Sequence, residues 1–191
     1  MNLDKIISSI KKVVHFKQEE FDIFAKGLTV VKLNKNEVWE PMDKISQFMG
    51  FVNTGMLRQF YLKEGNEFTD CFYSENEWVG NYISHLSKEA SKTATVALED
   101  CELLVMPFSE FEELAKTTPK AAEFSKIIGE QKLFELNKRN SSLLMDTPEE
   151  RYYKLIQQKP DLHKRVPQYL IAQYLGIRPE SLSRIRKRHI S

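Results

Sequence analysis

The chain has 191 residues, 41% of them hydrophobic and 29% charged, with a formal net charge of +1. That length suits one large domain or two smaller ones, each able to bury a core without staples. Two cysteines, Cys71 and Cys101, are too few for a disulfide framework, a zinc site built on cysteine or a four-thiolate iron–sulfur cluster, and a reducing cytoplasm is the expected setting.

The chain opens with a helix whose Leu3, Ile6, Ile7, Ile10, Val13 and Val14 form one apolar stripe. The stretch lacks the unbroken apolar run of a signal peptide or membrane span. Its polar face is mixed, which favours a core-facing helix over one lying on a membrane. A second short helix, Gln18 to Lys26, carries Phe21 and Phe24 and ends at Gly27.

From Leu28 to Met106 the pattern changes to short β-type runs cut by turn residues, the signature of a sandwich, barrel or roll. LTVVKL is followed by Asn34-Lys35-Asn36, QFMGFVN by Thr54-Gly55, MLRQFYLK by Glu64-Gly65-Asn66, and EFTDCFY by Ser74-Glu75-Asn76. Trp78-Val79-Gly80 comes next, then a short helix and loop over Tyr82 to Ser91. Two more strands, Thr93 to Leu98 and Cys101 to Met106, meet at Glu99-Asp100, and Pro107 closes the region.

Ser109 is the expected cap of a short helix through Leu114, and Thr118-Pro119 starts a long one to about Met145, with Gly129 as its weak point. Phe124, Ile127, Ile128 and Phe134 make one apolar stripe, and Leu133, Leu136, Leu143 and Leu144 continue on a shifted one. At ~1.5 Å per residue this helix outreaches a small roll. A parallel two-stranded dimer seam is expected; the alternative is a helix lying along the roll, its remainder covered by the C-terminal segment. Thr147-Pro148-Glu149-Glu150 then reads as a capping box with proline at the first helical position. A module boundary is placed near Asp146, and the new helix carries Tyr152, Leu155 and Ile156 before ending at Lys159-Pro160.

From Val166 to Arg188 the sequence reads as two short helices and a tight turn. Pro167 suits a first helical position, Leu170, Ile171, Tyr174 and Leu175 recur at helical spacing, and Gly176 stands where a chain leaves a helix through a left-handed residue. Pro179 opens the second helix, with Leu182 and Ile185 inward and Glu180, Ser181, Arg184 and Lys187 outward. Arginine pairs with guanine, glutamate accepts from cytosine N4, and serine and lysine take base edges or phosphates. An ordinary helical hairpin with a solvated basic face would share the amphipathic pattern. The turn glycine and the basic outer face occur together, as in a helix-turn-helix. Charge points the same way: from Thr147 onward ten Lys/Arg face four Asp/Glu, or +6, while the remainder has 18 against 23, or −5. A basic end module after an acidic body suits a polyanionic partner.

A β-type region, one long helix and a helix-turn-helix together resemble the Crp/Fnr family of bacterial transcription regulators. The likeness spans nearly the whole chain and is sharpest at PESLSR, where Glu180, Ser183 and Arg184 match the family's recognition-helix signature. It implies an α+β fold: an N-terminal β-roll (double-stranded β-helix, jelly-roll-like) with flanking helices, a long dimerisation helix, and a C-terminal winged-helix-like helix-turn-helix. The expected segments are 1–118 for the roll as a cyclic-nucleotide-binding-like sensor, 119–146 for the dimerisation helix, and 147–191 for the DNA-binding domain. By the same likeness Glu180 and Arg184 would read bases and Ser183 would hold a phosphate, with Ser181 on the same face. Phosphate anchoring would rest on Arg178, Arg186, Lys187 and Arg188. Many relatives carry arginine where this chain has Pro179, so its target should differ. Lys159 to Val166 is short and only His189, Ile190 and Ser191 follow the recognition helix, so the wing is expected to be reduced or absent.

Relatives that bind cyclic nucleotides use a Gly-Glu pair and, after a short helix, Arg-Ser/Thr-Ala. Backbone N–H groups and the arginine hold the phosphate while the glutamate takes the ribose hydroxyl. Here the candidates are Gly80, Asn81, Lys92, Thr93 and Ala94. Asn81 carries no charge and Lys92 is a point charge where a bidentate fork is wanted, so tight cyclic nucleotide binding is not expected and any effector is a different small molecule. His15, His85 and His163 stand at no metal spacing. No catalytic motif is present. The implied function is a cytoplasmic, homodimeric transcription regulator on a palindromic double-stranded DNA site, with RNA polymerase a further partner and no membrane. The alternative is a cyclic-nucleotide-type ligand-binding signalling protein whose C-terminal helices dock a protein partner.

Overall fold

The computed structural model describes residues 2–190, with side chains through Arg188, so Met1 and Ser191, the outer limits of the first and third expected segments, lie outside the described residues. Helices α1 (Asp4–Lys11) and α2 (Gln18–Lys26) precede strands β1 (Thr29–Leu33), β2 (Val38–Glu40), β3 (Phe48–Thr54), β4 (Leu57–Lys63), β5 (Asn66–Tyr73) and β6 (Trp78–Val79). Helix α3 (Tyr82–Ser87), strands β7 (Thr93–Ala97) and β8 (Cys101–Pro107), and helices α4 (Phe108–Thr117) and α5 (Pro119–Met145) follow. The C-terminal part holds α6 (Pro148–Gln158), α7 (Leu162–Arg165), α8 (Gln168–Leu175) and α9 (Pro179–Ile190).

The strands form two antiparallel four-stranded sheets, β1-β8-β3-β6 and β2-β7-β4-β5, facing each other as a roll. Strand β8 shows why its sequence is apolar throughout: Leu103 and Val105 point between the sheets with Leu33, Val52 and Leu57. Leu104 and Met106 point to the opposite face, under α1, α2 and α4. Side chains alternate along a strand, so a strand covered on both faces reads as a continuous apolar run. Strand β2, unmarked by its sequence pattern, is a short edge that pairs with β7 (Val38↔Val96, Glu40↔Thr95).

Under the first sheet the aromatics converge on Phe124 of α5, whose ring lies 5.3 Å from Trp78, 6.0 Å from Phe111 and 6.4 Å from Phe24. Ile127 and Ile128 pack on the same cluster, so the first turns of α5 are anchored to the roll, and the helix continues through Gly129 without a break. Farther along, Leu133 and Phe134 are each 68% exposed, Leu144 is 74% and Met145 83%. The start of α4 differs from expectation. Ser109 does not cap it; the helix begins at Phe108 behind Pro107 with no side-chain cap, because burial of Phe108 and Phe111 in the aromatic cluster fixes that entry. Thr147 does cap α6, accepting from the Glu150 N–H at 3.3 Å while the Glu150 carboxylate accepts from the Thr147 N–H at 2.8 Å.

Phe124→Ala is expected to destabilise the roll by roughly 3–5 kcal/mol, the cost of an aromatic cavity. Denaturant unfolding followed by the fluorescence of Trp78, whose ring adjoins the cavity, measures it.

Candidate nucleic-acid interface and effector groove

The helix-turn-helix rests on a core of its own. Leu170, Ile171, Ala172 and Leu175 of α8 and Leu182 and Ile185 of α9 are buried with Tyr152 and Leu155 of α6 and Leu162 of α7. Pro167 stands one residue before α8 as its N-cap rather than at the first helical position, its ψ of 139° keeping the chain extended. Gly176 takes φ +67°, a region costly for a residue with a side chain. The Ile177 N–H then reaches back to the Ala172 carbonyl at 3.0 Å, closing the helix end. Three residues, Gly176 to Arg178, separate the helices.

Burial of Leu182 and Ile185 turns the other side of α9 outward. Glu180, Ser183, Arg184, Lys187 and Arg188 are exposed, as is Arg178 at the turn, while Ser181 and Arg186 lie half-buried at the edges of that face. The Arg184 side chain contacts the backbone carbonyl of Glu180 at 3.4 Å. Arg188 leans toward Glu149 of α6 at 3.6 Å, a screened surface pair of little strength. The segment between α6 and α8 is taken up by α7, which the sequence pattern does not announce.

A groove of about 1230 Å³ runs between the roll, α5 and the C-terminal helices. Gly80, Asn81 and Thr93 line it beside Gln59 and Tyr73, with Lys132 and Arg139 of α5 opposite; Lys92 and Ala94 do not line it. Gly80 has φ +148°, and a Cβ there would stand 2.9 Å from the Phe48 carbonyl oxygen. Asn81 is turned inward. Its Oδ1 accepts from the Ser84 N–H at 3.0 Å, and its Nδ2 donates to Ser91 Oγ at 2.9 Å and Thr93 Oγ1 at 3.3 Å. Lys92 is exposed.

Behind Asn81 lies a residue that sequence reasoning missed. Glu40 of β2 is buried, and its carboxyl accepts from the Ser46 hydroxyl. Burial pushes that carboxyl up, opposed by the hydrogen bonds from Ser46 and from the backbone of Asn81. Its other oxygen, and Thr95 Oγ1 opposite it in the β2–β7 register, are buried without a partner among the described residues. No sequence signal could have found Glu40, since β2 is three residues long in a turn-rich stretch. His85 is a packing residue, stacked on Phe108 at 4.3 Å with its Nε2 2.8 Å from Glu112.

The C-terminal helices also touch the roll. Arg165 of α7 holds Glu75 through two parallel bonds of 2.8 and 2.9 Å and reaches Glu99 as well. Lys159 holds Glu77 at 2.6 and 2.5 Å. Arg58 of β4 is only 4% exposed; it donates to Thr69 at 2.8 Å, Glu67 at 2.5 Å and Gln173 of α8 at 3.0 Å. Phe72 of the roll packs on Tyr174 at 5.5 Å.

The cyclic nucleotide-binding domain family matches residues 30–118. No curated protein sequence matches the chain. Among solved structures, FixK2 from Bradyrhizobium japonicum superposes with a TM-score of 0.74 at 18% identity, over 84% of this chain and 83% of that one. A CooA mutant from Carboxydothermus hydrogenoformans gives 0.69 at 15% identity, over 98% and 84%. A transcriptional regulator ascribed to the Crp/Fnr family from Eubacterium rectale gives 0.67 at 14% identity, over 91% and 83%. Residues 30–118 thus match the cyclic nucleotide-binding domain family, and the chain as a whole shares the fold of these solved structures, among them a regulator ascribed to the Crp/Fnr family.

Proposed function

We propose that the chain is a sequence-specific, DNA-binding transcription regulator of the Crp/Fnr type that acts as a homodimer. The observation that carries this reading is the uncovered polar face of α9. Glu180, Ser183 and Arg184 project from a helix whose opposite side is fixed by Leu182 and Ile185 in a closed helical core. Arg184 and Glu180 read base edges, and Arg178, Lys187 and Arg188 take phosphates with Arg186 at the margin. The division of labour is roll 1–118, dimerisation helix 119–146 and DNA module 147–191. The setting is cytoplasmic, and RNA polymerase is a further partner.

The apolar stripe left open on α5, from Leu133 to Met145, supports a seam between two copies. Such a seam sets two recognition helices on successive major-groove faces about 34 Å apart, which calls for a palindromic site. The groove between roll and α5 is the place for an effector other than a tightly bound cyclic nucleotide. Asn81 is engaged with Ser84, Ser91 and Thr93, Lys92 faces solvent, and the buried Glu40 carboxyl lies behind them. An effector in the groove would act by differential affinity for two settings of the long helices.

Selection from a random duplex library is expected to enrich a two-fold symmetric site, and Arg184→Ala should lose roughly 1–3 kcal/mol of discrimination at one position per half-site. Lys187→Ala should instead weaken binding to every sequence and reduce the slope of log affinity against log salt by about 0.9. No enrichment with or without added cyclic nucleotides would count against DNA reading. In sedimentation equilibrium, Phe134→Glu with Leu144→Glu should convert dimer to monomer and leave the circular dichroism unchanged, since both side chains are exposed; a variant that stays dimeric would remove the α5 seam.

A further inference from the structure

The contacts between the C-terminal helices and the roll leave the recognition face alone. Arg165 lies on α7, Lys159 just past the end of α6 and Gln173 and Tyr174 on α8, whereas Glu180, Ser183 and Arg184 are exposed on α9. The contact is therefore not a lid over the DNA-reading surface. It has the makings of a fastening. Met56 and Phe72 of the roll are buried against the module's core, and around these two apolar plugs stand the Arg165 fork, the Lys159–Glu77 pair and the Arg58–Gln173 bond.

A bidentate arginine shared by two carboxylates is the geometry in which a surface pair gains strength. Burial alone would raise the Glu75 carboxyl, yet the bonds from Arg165 and from backbone N–H groups leave it lowered. The buried guanidinium of Arg58 has a stricter need: Nε donates to Thr69 and Nη1 to Glu67, and Gln173 accepts from Nη2; a buried donor left without a partner is costly. At the other end the module is tied to α5 through Asp146, whose backbone carbonyl accepts from Arg151 at 2.7 Å and whose carboxylate pairs with Lys154 at 2.7 Å. Arg139 of α5 adds a bond to the Tyr174 carbonyl at 3.2 Å, and attachments at separated points fix an orientation where one would leave a swivel.

From this geometry we infer that Arg165, with Lys159 and Arg58, is a positioning residue: it fastens the DNA module to its own roll and thereby sets the separation at which two copies read their half-sites. The inference rests on the dimeric DNA-binding reading above. It requires that loss of the fastening leave each module able to read one half-site while relaxing the distance between the two.

The test uses the full chain and the duplex that the wild type selects from a random library. Affinity is measured for that duplex, for versions with two base pairs added or removed between half-sites, and for a single half-site. Glu75→Gln with Glu99→Gln, and separately Arg165→Gln, should reduce the preference for the selected spacing on the order of tenfold, the size of an ordinary coupling between contacting groups, with single half-site affinity unchanged. Amide hydrogen exchange in α7 and α8 should rise in both variants. Unchanged spacing preference, or a loss confined to half-site affinity, would overturn the positioning role. A wild type with no spacing preference would instead overturn the dimeric reading, while the exchange measurement would still report whether the fastening exists.

Discussion

Twenty-seven residues of α5 rise about 40 Å; the roll buries the apolar side chains of its first turns and meets the rest through Lys132 and Arg139, at Tyr73, Thr69 and Asp70. Phe124 is fully buried among Phe24, Phe111 and Trp78, so the helix leaves the roll in one fixed direction. Everything farther along depends on that exit. The groove exists because α5 stands off the second sheet, and the module is carried to the roll's far side because α5 ends there. The open stripe from Leu133 to Met145 is the part of the helix that no other described residues bury.

The split between an acidic body and a basic end has a second use besides attracting a polyanion. Part of it is neutralised within the chain, where Glu75, Glu77 and Glu99 of the roll meet Arg165 and Lys159 of the module. Of the exposed arginines and lysines in the module, Arg178, Arg184, Lys187 and Arg188 lie on the turn and α9, where a charged partner would be met, while Lys154 and Lys164 pair with Asp146 and Asp161. A charge count by segment does not distinguish cations that fasten from cations that face solvent. Only their neighbours in space do.

The groove shows the same separation between type and arrangement. Gly80, Asn81 and Thr93 line it as their place in the chain suggests, but Lys92 and Ala94 do not. Strand alternation sends neighbours in sequence to different sides, so a contiguous motif over β7 cannot deliver all its members to one cavity. Glu40 reaches the rear of the same site from a strand about forty positions earlier in the chain, by pairing with β7. Its buried carboxyl leaves no motif in the sequence.

The sequence by itself determined the local order: where helices and strands fall, the capping box at Thr147, the left-handed turn at Gly176, and which side of α9 is apolar. These follow from backbone restrictions and from periodicities of two and 3.6 residues, which are properties of short segments. It did not reveal strand β2, the short helix α7, the uncapped start of α4, or the offset of Pro167 by one position. The tertiary structure alone decided that Arg58 meets Gln173, that Arg165 bridges Glu75 and Glu99, and that Glu40 sits behind Asn81. Each of these joins residues far apart in the chain, and such pairings are set by how sheets register and how α5 leaves the roll, which no local pattern encodes.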